Sequence, residues 1–170
     1  MELSYTELIL NRLKERKVEL KDIVQLTYDN QCQYEPEITK KDVEKAVLAV
    51  LDRTETQNAI FVGLELDRLA ELNLLKEPLL SIIKADQSTF GIDETLALSI
   101  LNTSGSIAWT NYGYMDRAKT GIIDKIDKEG KATVHTTTFL DDLIGAIAAS
   151  AAGKLAHRLN KDSRSITVGD

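Results

Sequence analysis

A single cysteine, Cys32, stands in the whole chain. Its isolation excludes an internal disulfide and any zinc site built on several thiolates. A thiol-phosphatase loop is excluded as well. Such a loop needs a phosphate-cradling arginine six places beyond its cysteine, and that position is Ile38. Two prolines and nine glycines in 170 residues are few chain breakers, which disfavours a many-stranded β fold with its frequent turns. No long Lys/Arg run occurs and the net charge is −6, so the chain lacks the basic face of a nucleic-acid binder. The same balance opposes adsorption to anionic lipid by bulk charge. No apolar run is long enough for a membrane span: the longest charge-free apolar stretch, Leu143 to Gly153, falls short of the ~20 residues required. Met1 to Lys17 has no apolar signal core, so a cytoplasmic location is expected. Neither GxxxxGK[ST] nor GxSxG is present, which removes the nucleotide P-loop and the serine nucleophile elbow. Any phosphate chemistry is left to carboxylates holding a metal.

What is present reads as helix. One domain spanning 1–170 is expected, since the length supports one core and not two ordinary ones. Ser4 and Glu7 form a capping box opening a helix to about Arg16, with Leu8, Ile9 and Leu13 as its apolar stripe. A second helix is predicted from Leu20 to about Asn30, and a loop with Pro36 follows. Thr39 is placed to cap a third helix, whose Val43, Ala46, Val47, Val50 and Leu51 keep the i, i+3, i+4, i+7, i+8 pattern. Thr54 and Gln57 repeat the capping-box pattern before a helix carrying Ile60, Leu64, Leu66, Leu69 and Leu72. Pro78 precedes a short helix to Ala85, and Asp93 starts another through Ile100. Gly105 to Met115, apolar and rich in small residues, predicts a tightly packed inner helix with Trp109, Tyr112 and Tyr114 in the core. Lys131 to Thr138 has strand-like composition, but a lone strand makes no sheet. Thr138 is then placed to cap a last helix from Phe139 to about Arg158. Its centre, AIAASAAG, small at every position but Ile147, allows close helix approach. The expected fold is an all-α, single-domain helical bundle.

The acidic residues after Gly91 admit two readings each. Asp141 and Asp142, in the first turn of the last helix, either compensate the helix dipole or supply a ligand to a site. Asp93 and Glu94 repeat the arrangement at another helix start, and two such pairs would together suit a hard cation such as Mg²⁺. Asp116 and Lys119, three apart, share a helix face as either an exposed ion pair or the charged end of a buried helix. Gly121 to Glu129 reads as a short helix or turn; Asp127 completes an acidic group there, although Asp124 to Glu129 looks mostly like a solvated turn. His135 and His157 lack ligand spacing.

Asp116-Arg-Ala-Lys119, then Asp127, then Phe139-Leu-Asp141-Asp142-Leu-Ile-Gly145-Ala146 resemble the C-terminal half of the phosphatidylglycerophosphatase A family. That family shows an Asp, a Lys three later, an Asp eight beyond the Lys, and an Asp-Asp pair leading an Ala/Gly-rich helix. Gly91-Ile-Asp93-Glu94 is similar to its Asp-Glu element. The likeness covers residues 91–156, and the whole chain resembles the soluble YutG-type branch, a bundle with one central helix surrounded by others. In place of the family's Lys-Pro-x-Pro the chain has Lys119-Thr-Gly-Ile122, and no equivalent of its N-terminal Pro-Gly-Thr element or its membrane helices is found.

The resemblance implies Mg²⁺-dependent hydrolysis of the phosphomonoester of phosphatidylglycerophosphate. It makes Asp93, Glu94, Asp141 and Asp142 the metal ligands. Asp116, Lys119 and Asp141 are the catalytic candidates, with Asp116 as base or further ligand and Lys119 neutralising phosphoryl charge. Two other readings stand beside it: a soluble metal phosphohydrolase of a small phosphomonoester, and a non-catalytic helical binding or assembly module. A phospholipid or a small phosphomonoester is thus the expected partner, with peripheral membrane contact through an amphipathic helix and self-association, most simply a two-fold dimer, also in view.

Overall fold

The computed structural model describes residues 2–87, 89–132 and 135–162, without the side chains of 159–162. Among the described residues there are nine helices and no strand. They are α1 (Tyr5–Glu15), α2 (Leu20–Gln31), α3 (Lys40–Leu51), α4 (Thr54–Glu71), α5 (Leu79–Ala85), α6 (Ile92–Leu101), α7 (Ser106–Ala118), α8 (Ile122–Ala132) and α9 (Leu140–Asp162). The fold is an all-α bundle.

Its centre is α9. Every residue from Phe139 to Gly153 is buried, and α2, α3, α4, α6, α7 and α8 all pack against this helix. Small side chains on every face make that possible. At Gly153, an added Cβ would meet the Ala108 Cβ at 3.1 Å and the Ser104 carbonyl oxygen at 3.2 Å, so a larger residue would push α7 away. Gly63 does the same for α4, where a Cβ would lie 2.6 Å from Leu143 Cδ1. The outer helices bury one stripe each. Ile9 and Leu13 of α1 are buried, as are Val43, Val47, Val50 and Leu51 of α3. The Ser4–Glu7 capping box and the Thr39 cap are both formed.

Four expectations are corrected. The helix over Gly105 to Met115 is an outer one: α7 buries only Ala108, Tyr112 and Met115, while Trp109 and Tyr114 are exposed. The i, i+4, i+7 spacing of the buried three is an ordinary one-sided stripe, and the apolar composition around it obscured that period. Thr54 and Gln57 form no capping box. Arg53 is the N-cap of α4, and Gln57 turns back to donate to the Leu51 carbonyl at 3.1 Å. Leu72 ends α4 exposed rather than in its stripe. Thr138 does not cap α9, because its hydroxyl donates to the Ile83 carbonyl at 2.8 Å. In the Lys131 to Thr138 segment, Lys131 and Ala132 complete α8. Thr133 and Val134 lie outside the described residues.

The cap on α9 comes from Asp67, seventy-odd residues upstream on α4. Its carboxylate accepts the Phe139 N–H at 3.2 Å and the Leu140 N–H at 3.1 Å. The side chain is fully buried. Burial pushes its pKa well above the carboxylate range, and the N–H bonds from Phe139 and Leu140 oppose that shift, together with Arg16. Removing the acceptor would strand two buried N–H groups. Asp67→Ala is therefore expected to cost about 2–3 kcal/mol in urea unfolding, with Asp67→Asn losing less because one acceptor oxygen remains. Equal stability of Asp67→Ala and the parent chain would show that the cap is dispensable.

Candidate metal centre

Two helix starts and one helix end meet at one pole of the bundle. Gly91, at φ 71°, turns the chain into α6 in the left-handed conformation that glycine adopts without strain. Asp93 and Glu94 follow in the first turn, and Asp93 Oδ1 accepts the Glu94 N–H at 3.0 Å. Asp141 and Asp142 occupy the first turn of α9, which packs against α6. Both pairs thus stand at helix N-termini, where partial positive charge favours anions by about 0.3–1 kcal/mol each. From α7 come Tyr112, Asp116 and the C-cap Lys119, the last at φ 43°.

The sequence candidates fall into two adjoining groups. One carboxylate oxygen each from Asp93, Glu94 and Asp142 lie within 4.8 Å of one another. Asp141 turns to the other group: its Oδ2 accepts from Lys119 Nζ at 2.8 Å, while Asp116 Oδ1 accepts from the same nitrogen at 2.9 Å. Neighbouring carboxylates on one helix point apart, so Asp142 faces α6 and Asp141 faces the end of α7. Asp127, on α8, pairs with Lys131 at 2.8 Å and joins neither group.

Asp93 and Asp142 are both buried. Burial, with Asp141 next to it, pushes the Asp142 carboxyl up to about 8. Asp93 is raised by burial first and then by its contact with Glu94. Burial also raises Asp141, against the pull of Lys119. Desolvation works against the Lys119 ammonium, yet Asp141 and Asp116 outweigh it and hold the lysine above its ordinary value. Three acids pressed together without a matching cation are unfavourable unless protonated or bound to a metal.

Two buried atoms fit a cation site. Glu94 Oε2 has no hydrogen-bond partner, and neither has the Tyr112 hydroxyl. The Tyr112 oxygen falls short of a hydrogen bond by geometry, but it lies close enough to Asp142 that burial and that carboxylate raise its pKa. An all-oxygen set of two to four carboxylates suits magnesium, which keeps several of its waters. The donor set therefore fits a hard divalent cation.

Sequence reasoning passed over Tyr112 and Asp67 as site residues. Asp67 carried a readable signal: it sits at i+7 from Ile60 and i+3 from Leu64, a charge placed on the apolar stripe of its helix. Tyr112 falls likewise on the buried stripe of α7, and its ring packs over Gly145 of α9.

The family model for phosphatidylglycerophosphatase A matches residues 32–157, which include every residue of both groups. The chain is 47% identical over 147 residues to YutG of Bacillus subtilis (strain 168), covering 86% of this chain and 87% of YutG. With YpjQ of the same organism it is 42% identical over 145 residues, covering 85% and 80%. The crystal structure of low temperature requirement C protein from Listeria monocytogenes superposes with a TM-score of 0.88 at 42% identity, covering 94% of this chain and 99% of that one.

A carboxyl raised in the folded state binds more protons there than in the unfolded chain. Its contribution favours the metal-free fold below the ordinary carboxylate range and is lost as the pH climbs towards the folded value, about 8 for Asp142. With chelator present, the Tm difference between Asp142→Asn and the parent chain is expected to be small near about pH 3.5 and to reach roughly 5 °C or more in the mutant's favour near about pH 9. A difference that does not change with pH would show that Asp142 is not strained in the metal-free protein.

Proposed function

The chain belongs to the phosphatidylglycerophosphatase A family, and from that membership we propose a magnesium-dependent phosphatase that converts phosphatidylglycerophosphate to phosphatidylglycerol and phosphate. The observation that carries the reading is the convergence of Asp93, Glu94 and Asp142 from two helix starts, with Lys119 beside them. These three carboxylates are the proposed magnesium ligands. Held there, magnesium supplies charge neutralisation and orientation for the phosphoryl oxygens.

The chain's own side chains complete the site. Lys119 has three N–H donors, of which Asp116 and Asp141 take one each, so a third remains for a phosphoryl oxygen. Its two carboxylate partners fix the ammonium in place, which saves reorganisation as charge develops in the transition state. Asp141 is in this reading a positioning residue for Lys119, and Asp116, the more exposed of the pair, is the candidate base. Water attacks phosphorus and gives its proton to Asp116. The phosphorus–oxygen bond to the alcohol then breaks; the leaving alkoxide takes a proton from solvent water and Asp116 returns its own to solvent, so that the alcohol and free phosphate are the products.

A second reading, a water-soluble phosphomonoester as substrate, is favoured by one observation. No helix among the described residues is long and apolar enough to cross a membrane.

Phosphate release from phosphatidylglycerophosphate in mixed micelles, and from a panel of small phosphomonoesters, tests both. Release is expected with magnesium and not with chelator. Asp142→Asn should abolish it, and Lys119→Met should lower kcat by about 10²–10³. Magnesium-dependent release that survives Asp142→Asn would sink the assignment of the ligands. Release from the small esters alone would select the second reading.

A further inference from the structure

A cavity of about 440 Å³ opens at the other pole of the bundle, where the C-terminal half of α9 passes the turn between α6 and α7. Thr103, Ser104 and Gly105 line it from the turn, and Lys154, His157 and Arg158 from α9. Its volume is in the range of small-ligand sites, about 300–1,000 Å³. It shares no lining residue with the carboxylate centre. At the helical rise per residue, Arg158 stands roughly 25 Å along α9 from Asp141.

Cations gather here without matching acids. Lys154, His157 and Arg158 are spaced i, i+3 and i+4, so they share one face of α9. Lys154 donates to the Ala49 carbonyl at 3.1 Å, and among the described residues no carboxylate pairs with it. Arg53, at the start of α4, donates to the carbonyl and hydroxyl of Thr103 and also has no carboxylate partner among the described residues. The two cations are close enough that Arg53, after burial, pushes the Lys154 pKa down. Arg158 reaches a carboxylate only at 3.9 Å, in Asp42. In a chain of net charge −6, like charges drawn together in this way repel one another unless an anion joins them. The turn adds neutral donors. Ser104 is buried, and its hydroxyl accepts from Arg53 at 3.5 Å, which leaves its O–H to donate. Helix α7 begins at Gly105 without a side-chain cap, so its first N–H groups are open. Gly105 has φ 79° and ψ −179°, a conformation reserved for glycine, and a Cβ there would meet His157 Nε2 at 3.0 Å. The imidazole therefore lies against the start of α7.

We propose that this cavity is an anion site separate from the carboxylate centre, and that it takes the phosphate group of a small water-soluble phosphorylated compound. Lys154 and Arg158 supply the charge, and the Ser104 hydroxyl with the open N–H groups of α7 supplies the remaining hydrogen bonds. Donors converging from α9 and from the turn match a tetrahedral dianion better than a planar carboxylate, whose two oxygens one arginine fork would satisfy. The volume leaves room for the rest of the ligand beside its phosphate. A lipid headgroup offers the same phosphate, but a membrane at this pole would hold the carboxylate centre roughly a helix length of 25 Å from the lipid. The site binds its ligand whether or not the carboxylate centre is catalytic.

Calorimetric titration of the full chain in chelator tests the proposal, since without a cation the carboxylate centre repels anions. Inorganic phosphate and glycerol 3-phosphate are each expected to bind. Affinity should fall about tenfold or more in Lys154→Met/Arg158→Met and stay at the parent value in Lys119→Met. Arg158→Met alone, at an exposed position, should already weaken binding with the Tm unchanged, so the loss is not one of folding. Vesicles of phosphatidylglycerol should not sediment the chain. Equal affinity in the parent and the double variant overturns the site, and so does the absence of binding by the parent chain. Binding lost in Lys119→Met instead would assign the anion to the carboxylate pole. Sedimentation with the vesicles that depends on Lys154 and Arg158, without binding of either soluble compound, would overturn the soluble ligand in favour of a lipid headgroup.

Discussion

A helix packed on every side has no water at its first turn, so its free N–H groups must find acceptors inside the protein. In α9 that requirement is met by a carboxylate from α4, buried as deeply as the helix it caps. The cap fixes Phe139 and Leu140, and the next two residues are Asp141 and Asp142. Their positions therefore depend on Asp67 before they depend on anything at the site. The same packing that brings six helices against α9 also takes its two acids out of water, and their raised pKa values follow from that.

Burial then divides the acids by direction. Asp142 faces α6 and meets Asp93 and Glu94, where among the described residues no ion pair joins them. Asp141 faces the end of α7 and meets Lys119. Had both met the lysine, the pole would be a neutralised ion network of the kind found in many structural sites. Had neither met it, three buried carboxylates and the half-buried Glu94 would stand without a cation. The observed split leaves one group that lacks a positive partner and one group that has a fixed one.

Much of this was legible in the chain. The capping box at Ser4, the cap at Thr39 and the stripe of α3 depend on residues within a few positions of each other, and they formed as read. The small-residue-rich run from Gly145 to Gly153 was read as allowing close helix approach, and the structure puts that helix at the centre, where small side chains let neighbours pack on all faces. The cap of α9 was not legible. Thr138 had the right chemistry at the right place, but Asp67 offers a charged acceptor from another helix, and the Thr138 hydroxyl went to Ile83. α7 was misjudged for a different reason: its aromatic content outweighed its period, and Trp109 and Tyr114 face solvent. At the site, spacing placed Asp93, Glu94, Asp141 and Asp142 on two helix starts. Which of them share a centre depends on how α6 and α9 cross, and spacing along the chain does not encode a crossing.

The groups at this pole rest on unlike supports. Asp93 and Asp142 are buried in the first turns of α6 and α9, and Lys119 is clamped between two carboxylates, so their geometry is tied to the core. Lys84, Asp86 and Lys131 sit at the exposed ends of short helices that touch the core through few residues, such as Ile83 of α5. A substitution at the first set disturbs packing around α9, where even a Cβ can be too large. At the second set it meets water on one side, and surface changes of that kind usually alter stability by no more than about 0.5 kcal/mol. The geometry of the carboxylate centre is thus fixed by the fold, whereas the exposed helix ends beside it can vary with little effect on stability.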